Sequence, residues 1–159
     1  MVKAKNDIVK YTSYKSLADS FFNKIKDYDF VNMNESEAYS IAMKYISPAC
    51  LRFESCEQDL NNRDDELQCF TFELTKNNFN ILVNYMVIEW LDANYLLTGY
   101  MLKGRLTTTD FHALNQYQLL DKVTILRENL LNENNQLAIN KSYFVSELYD
   151  LIMNKRKPT

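Results

Sequence analysis

Phe79-Asn-Ile-Leu-Val-Asn-Tyr-Met-Val-Ile-Glu-Trp-Leu-Asp-Ala-Asn-Tyr-Leu-Leu97 is the stretch on which the fold turns. Phe79, Val83, Met86, Trp90 and Leu97 fall on one stripe at helical spacing, while Ile81, Tyr85, Ile88 and Tyr95 fall on a second. A helix apolar on two sides is packed on two sides. The sequence therefore predicts a central helix from residue 76 to 98 or 103, capped at its start by Thr75 and ended near Gly99 or Gly104.

Outward from that helix, the chain carries few residues that could break it. In 159 residues there are 2 Gly and 2 Pro, which leaves almost nothing to turn strands into tight hairpins or to cradle a phosphate. C-terminal to it, Thr107 to Asp110 gives a helix start, and Leu119, Val123, Leu126, Leu130 and Leu137 keep a nearly heptad spacing broken by Glu133. A second long helix over roughly 110 to 138 follows. N-terminal to it, Leu17, Phe21, Ile25 and Tyr28 mark a first helix that Ser13 or Ser16 can cap. Asn34 and Glu37 open another. Ser47-Pro48 then splits residues 35–46 from 48–58, as two helices or one kinked helix. Residues 59–73 are polar, with the alternating Phe70-Thr-Phe-Glu-Leu74, and read as an extended linker.

The expected fold is thus all-α: a helical bundle built on a long antiparallel helical hairpin (about 76–103 and 110–138), with shorter N-terminal helices. Past the polar stretch Asn132 to Asn135, Val145, Leu148, Tyr149 and Ile152 form one short apolar stripe followed by Lys155, Arg156 and Lys157. Residues 1–142 read as the bundle domain and 143–159 as an amphipathic C-terminal arm suited to a groove in another subunit or to folding back on its own chain.

Composition narrows the function. Apolar residues make up 47% and aromatics 13% of the chain, enough for a real core. The net charge of −3 disfavours broad affinity for nucleic acid, and no sequence-specific nucleic-acid partner is expected. No apolar run has the length of a signal h-region or a membrane span, so neither secretion nor a membrane partner is expected. Cys50, Cys56 and Cys69 form no Cys-x-x-Cys pair, which points to free thiols in a reducing compartment. The single histidine, His112, could serve a cysteine nucleophile only through tertiary contact, and a surface or boundary role fits it better. Counting a calcium loop from Asp59 puts Asp64 where glycine is needed and Phe70 where a bidentate Glu is needed. No metal site, no cofactor and no catalytic residue is assigned, and the chain reads as a non-enzyme.

Leu82-Val-Asn-Tyr-Met-Val-Ile-Glu-Trp-Leu91, then Met101-Leu-Lys-Gly-Arg-Leu-Thr-Thr-Thr-Asp-Phe111 and the Leu-rich helix to Leu130, carry a likeness, together with Cys56-Glu-Gln-Asp-Leu-Asn-Asn-Arg-Asp-Asp-Glu-Leu67. Over roughly residues 50–135 this pattern resembles the helical head-tail connector (adaptor) proteins of the tailed-bacteriophage neck. The resemblance implies a virion protein, assembled in the host cytoplasm, that forms a twelve-fold ring. Its partners would be the portal protein and the next neck or tail protein. The candidate contact residues are Phe144, Val145, Leu148, Tyr149 and Ile152 on the arm, and Glu57, Asp59, Asp64 and Asp65 on the acidic segment. The alternative is a small intracellular phage-encoded inhibitor that binds one host protein.

Overall fold

The structure is a computed structural model that describes residues 11–25, 30, 33–96 and 111–145. It is a helical bundle with a small sheet at one side. In chain order the elements are β1 (Thr12–Ser13), α1 (Tyr14–Ile25), α2 (Glu35–Met43), α3 (Ile46–Arg52), β2 (Arg63–Asp64), β3 (Cys69–Phe70), α4 (Lys76–Leu91), a π-helical turn (Asp92–Leu96) and α5 (Phe111–Val145).

Local chemistry sets the helix starts. The Ser16 amide donates to Ser13 Oγ at 3.2 Å and the Ser16 hydroxyl donates to the Ser13 carbonyl at 2.7 Å, so Ser13 caps α1. Asn34 accepts from the Ser36 amide at the head of α2, and Thr75 accepts from the Asn78 amide at the head of α4. Each cap satisfies an amide that the helix itself leaves unpaired. Pro48 lies in the first turn of α3, where its missing N–H has no intrahelical partner to lose. The helix therefore starts at Ile46, before the proline, and α2 and α3 are two short helices separated by a turn. It ends at Arg52 instead of running to 58.

α4 is the centre of the bundle. Ten of its residues are buried, among them Ile81, Leu82, Val83, Met86 and Ile88, and α1, α3 and α5 all pack against it. Phe21 of α1 is fully buried and stands edge-on to Trp90 of α4 with ring centroids 6.4 Å apart, with Phe22, Phe30 and Tyr45 around it. Aromatic pairs of this kind add about 0.5–1.5 kcal/mol each beyond their area burial.

The hairpin of α4 and α5 is antiparallel. Moving down α4, Asp92 meets Arg127, Tyr85 meets Asn135, and the Ile81 carbonyl accepts from Asn134. Residues 97–110, which include Gly99, Gly104 and the expected helix start at Thr107, lie outside the described residues. α5 runs unbroken to Val145, past the expected end at 138 and through the polar Asn132 to Asn135. Those asparagines do not break the helix, because Asn134 is fully buried and bonded on both sides of its amide: it accepts from Asn84 Nδ2 at 3.0 Å and donates to the Ile81 carbonyl at 3.1 Å. The 142/143 boundary of the expected arm falls inside this helix, and residues 146–159 lie outside the described residues.

Residues 59–73 are not a linker. β2 and β3 form a hairpin to which β1 adds on the other side, in the order β1-β3-β2, all antiparallel. The turn manages without glycine: Gln68 takes the left-handed conformation at φ 53, and Asp64 Oδ1 accepts the amides of Glu66 and Leu67 at 3.0 and 2.9 Å. Phe70, Leu60 and Leu74 turn into the core.

One ion-pair cluster clamps three elements. Asp92, in the π-helical turn, receives Arg52 of α3 at 3.2 Å and both donors of Arg127 of α5 at 2.9 and 3.1 Å, while Arg52 also reaches Glu89 at 2.6 Å. All four side chains are at most 30% exposed. Asp92→Ala would strip Arg127 of the carboxylate that holds it and leave Arg52 with Glu89 alone. It should cost about 2 kcal/mol of stability, measured as a lowered urea midpoint at unchanged slope.

Candidate interaction surface

The acidic segment is built mostly for its own hairpin. Asp59 Oδ1 accepts the Asn61 amide at 3.0 Å, and Asp64 makes the turn described above. Asp65 accepts the Tyr14 hydroxyl at 2.6 Å and faces Arg63 at 3.6 Å, so it ties the hairpin to α1. Glu57 and Asp59 are exposed. Of the candidate arm residues, Phe144 and Val145 belong to the last turn of α5 and their side chains lie outside the description, as do Leu148, Tyr149 and Ile152 altogether. The structure thus brings Asp59, Asp64 and Asp65 together around one hairpin.

Around Tyr14, burial and the neighbouring Asp65 carboxylate hold the phenol well above its ordinary value. The carboxylate of Asp19, which accepts the Tyr39 hydroxyl, pushes the Tyr39 phenol up to about 12. Burial raises the Tyr85 phenol, and it raises the Cys50 thiol against the opposing pull of Arg63. Cys50 is buried, Cys56 and Cys69 are half-buried, and none of the three is in a disulfide. A buried, raised thiol is the unreactive kind. His112 lies in the first turn of α5, and its side chain is outside the description. Among the described residues no group of three His, Cys, Asp or Glu side chains converges to hold a metal ion.

The surface that the sequence pattern misplaced is on α5. Leu120, Val123 and Ala138 are buried, with Leu130 and Leu131 half-buried beside them, whereas Leu126 and Leu137 of the heptad stripe are about half exposed, at 51% and 53%. Ile125 and Ile139 are exposed as well. The core face is therefore rotated away from the heptad stripe, and the buried Asn134 marks where it lies. Leu126 and Leu130 instead form one wall of a cleft of about 360 Å³, closed by Val87, Trp90 and Leu91 of α4 and by Ile25 of α1. Lys24 sits at this cleft and donates to Asn84 Oδ1, whose amide in turn donates to Asn134. Partial burial there lowers the Lys24 ammonium below its ordinary value. A second, more open depression of about 520 Å³ lies between β1 and the start of α4, with Ser13, Ser16, Glu73 and Lys76 on its walls.

No family model, no curated protein and no solved structure matches the chain. Among the described residues, no helix is long and apolar enough to cross a membrane.

The raised tyrosines have a consequence in alkali. A phenol whose folded-state value lies above about 10 keeps its proton after the unfolded chain has lost it, so its contribution to stability is whole below pH 10 and declines above it. Tyr14, Tyr39 and Tyr85 act in this sense, and the lowered Lys24 acts in the opposite one. Denaturant stability should fall as pH rises beyond about 10, and Tyr14→Phe should make that fall shallower while lowering stability at pH 7.

Proposed function

We propose that this chain is a structural protein that works by adhesion, as a helical head-tail connector that forms a ring between portal and tail in a virion. The observation that carries the adhesive part is the crowding of exposed aliphatic side chains on α5. Of the eight large apolar residues exposed among the described residues, Ile125, Leu126, Leu137 and Ile139 lie on this one helix. Such grouping marks contact surfaces, because isolated apolar residues are ordinary on a protein surface and clusters are not. Ring closure needs two different surfaces per subunit, and α5 offers Leu126 and Leu137 on one line and Ile125 and Ile139 on another, with Asn129 and Gln136 between them. The connector assignment itself rests on the sequence resemblance over residues 50–135.

In this reading the acidic segment 54–66 faces a basic partner surface, and residues 143–159 engage the portal. The test is to mix the purified chain with the portal protein of the same particle and to follow co-assembly by sedimentation and electron microscopy. Co-sedimenting rings are the expected result, and their absence would overturn the connector reading. Removing residues 143–159 should abolish docking on the portal with little change in far-ultraviolet helicity.

A further inference from the structure

We infer that the free chain pairs with a second copy of itself through the Leu126 line of α5, the two helices running antiparallel across a two-fold axis. Positions 122, 126, 130, 133 and 137 lie on one line of the helix, at spacings of four, four, three and four. Lys122, Leu126, Glu133 and Leu137 are exposed on it, and Leu130 is half-buried. Lys122 and Glu133 have no ion-pair partner among the described residues. A single antiparallel register satisfies the whole line: Leu126 lies against Leu130 of the second copy, and Lys122 against Glu133 of the second copy. Symmetry repeats both contacts. The same register sets Leu137 beside the backbone of Leu119 of the second copy.

Charge selects this arrangement over the parallel one. Two parallel copies in register would set Glu133 against Glu133 and Lys122 against Lys122, which like charges disfavour. Glu133, which breaks the apolar heptad of one chain, is thereby the residue that specifies how two chains meet. The apolar centre has a seat as well, because Leu126 and Leu130 border the cleft walled by Val87, Trp90, Leu91 and Ile25. A neighbouring helix lying along this line extends the apolar part of the cleft, whose polar members Lys24 and Asn84 are already bonded to each other.

The pairing does not rest on the connector reading. A two-fold pair has identical ends and cannot itself join two different partners. It is the form in which an unassembled chain keeps its apolar line out of water.

Sedimentation equilibrium on the full chain and on Lys122→Glu, Glu133→Lys and the double swap tests it. Both residues are exposed, so the variants should keep native helicity. Each single swap places two like-charge contacts in the pair and should weaken dimerisation roughly tenfold or more, whereas the double swap should recover most of the wild-type affinity. A wild-type chain that stays monomeric up to about 100 µM, a dimer indifferent to the single swaps, or a double swap no better than the singles would each overturn the pairing. None of these outcomes bears on co-assembly with a portal, which is measured separately.

Discussion

The bundle depends on one helix that, from Ile81 to its end at Leu91, leaves no residue exposed to water. α4 buries ten of its sixteen residues, and a helix apolar on more than one side is stable only if neighbours enclose it. α1, α3 and α5 supply the enclosure. The constraint also governs the buried and half-buried polar groups Asn78, Asn84 and Glu89 that α4 carries. Asn78 donates to Gln58 at 2.7 Å, Asn84 bridges Lys24 and Asn134, and Glu89 is held by Arg52. Where the helix ends, Asp92 takes two arginines from different elements. Polar groups in such a position are costly unless paired, so each of these partners is fixed by the need to enclose α4.

That dependence explains which parts of the fold can be read along the chain. Caps are local: Ser13, Asn34 and Thr75 act on amides two or three residues away, and the starts of α1, α2 and α4 follow from them. The two-sided apolar pattern of residues 79–97 is local too, and it places α4 correctly at the centre. The β-hairpin is different. Its turn uses Gln68 in a conformation usually given to glycine, and an aspartate side chain does part of the work of closing it, so counting glycines gives the wrong answer for residues 59–73. The end of α3 at Arg52 has no local marker in the sequence, and Arg52 itself is engaged far along the chain. Its guanidinium meets Glu89 and Asp92, 37 and 40 residues further on.

The surface was legible in part. An acidic segment invites a partner, and Glu57 and Asp59 are exposed. Asp65, however, meets the Tyr14 hydroxyl across 51 residues, a contact that spacing cannot reveal. Glu89 and Asp92, three residues apart in the apolar stretch from Tyr85 to Leu97, were a signal for half-buried arginine partners. The rotation of α5 was harder to see. Its leucines keep a heptad line, its core line runs through Leu120, Val123, Asn134 and Ala138, and the two overlap near Val123 and Leu130. Hydrophobic spacing alone favours the line with more leucines. The structure favours the line that carries an asparagine, because that asparagine has partners on α4.

Asn134 is therefore more than a tolerated polar residue in the core. An aliphatic side chain there would let α5 turn or slide along α4 and draw the Leu126 line inward, since leucines pack against α4 as well as alanine does or better. The amide resists this because its donor and its acceptor are matched to the Ile81 carbonyl and to Asn84, and a change of register would strand both in an apolar interior. Buried polar pairs contribute little net stability but penalise the wrong arrangement heavily. Holding α5 in this rotation keeps Leu126 and Leu137 outward, and it gives one helix two tasks: it seals the core along one line and presents an adhesive line beside it.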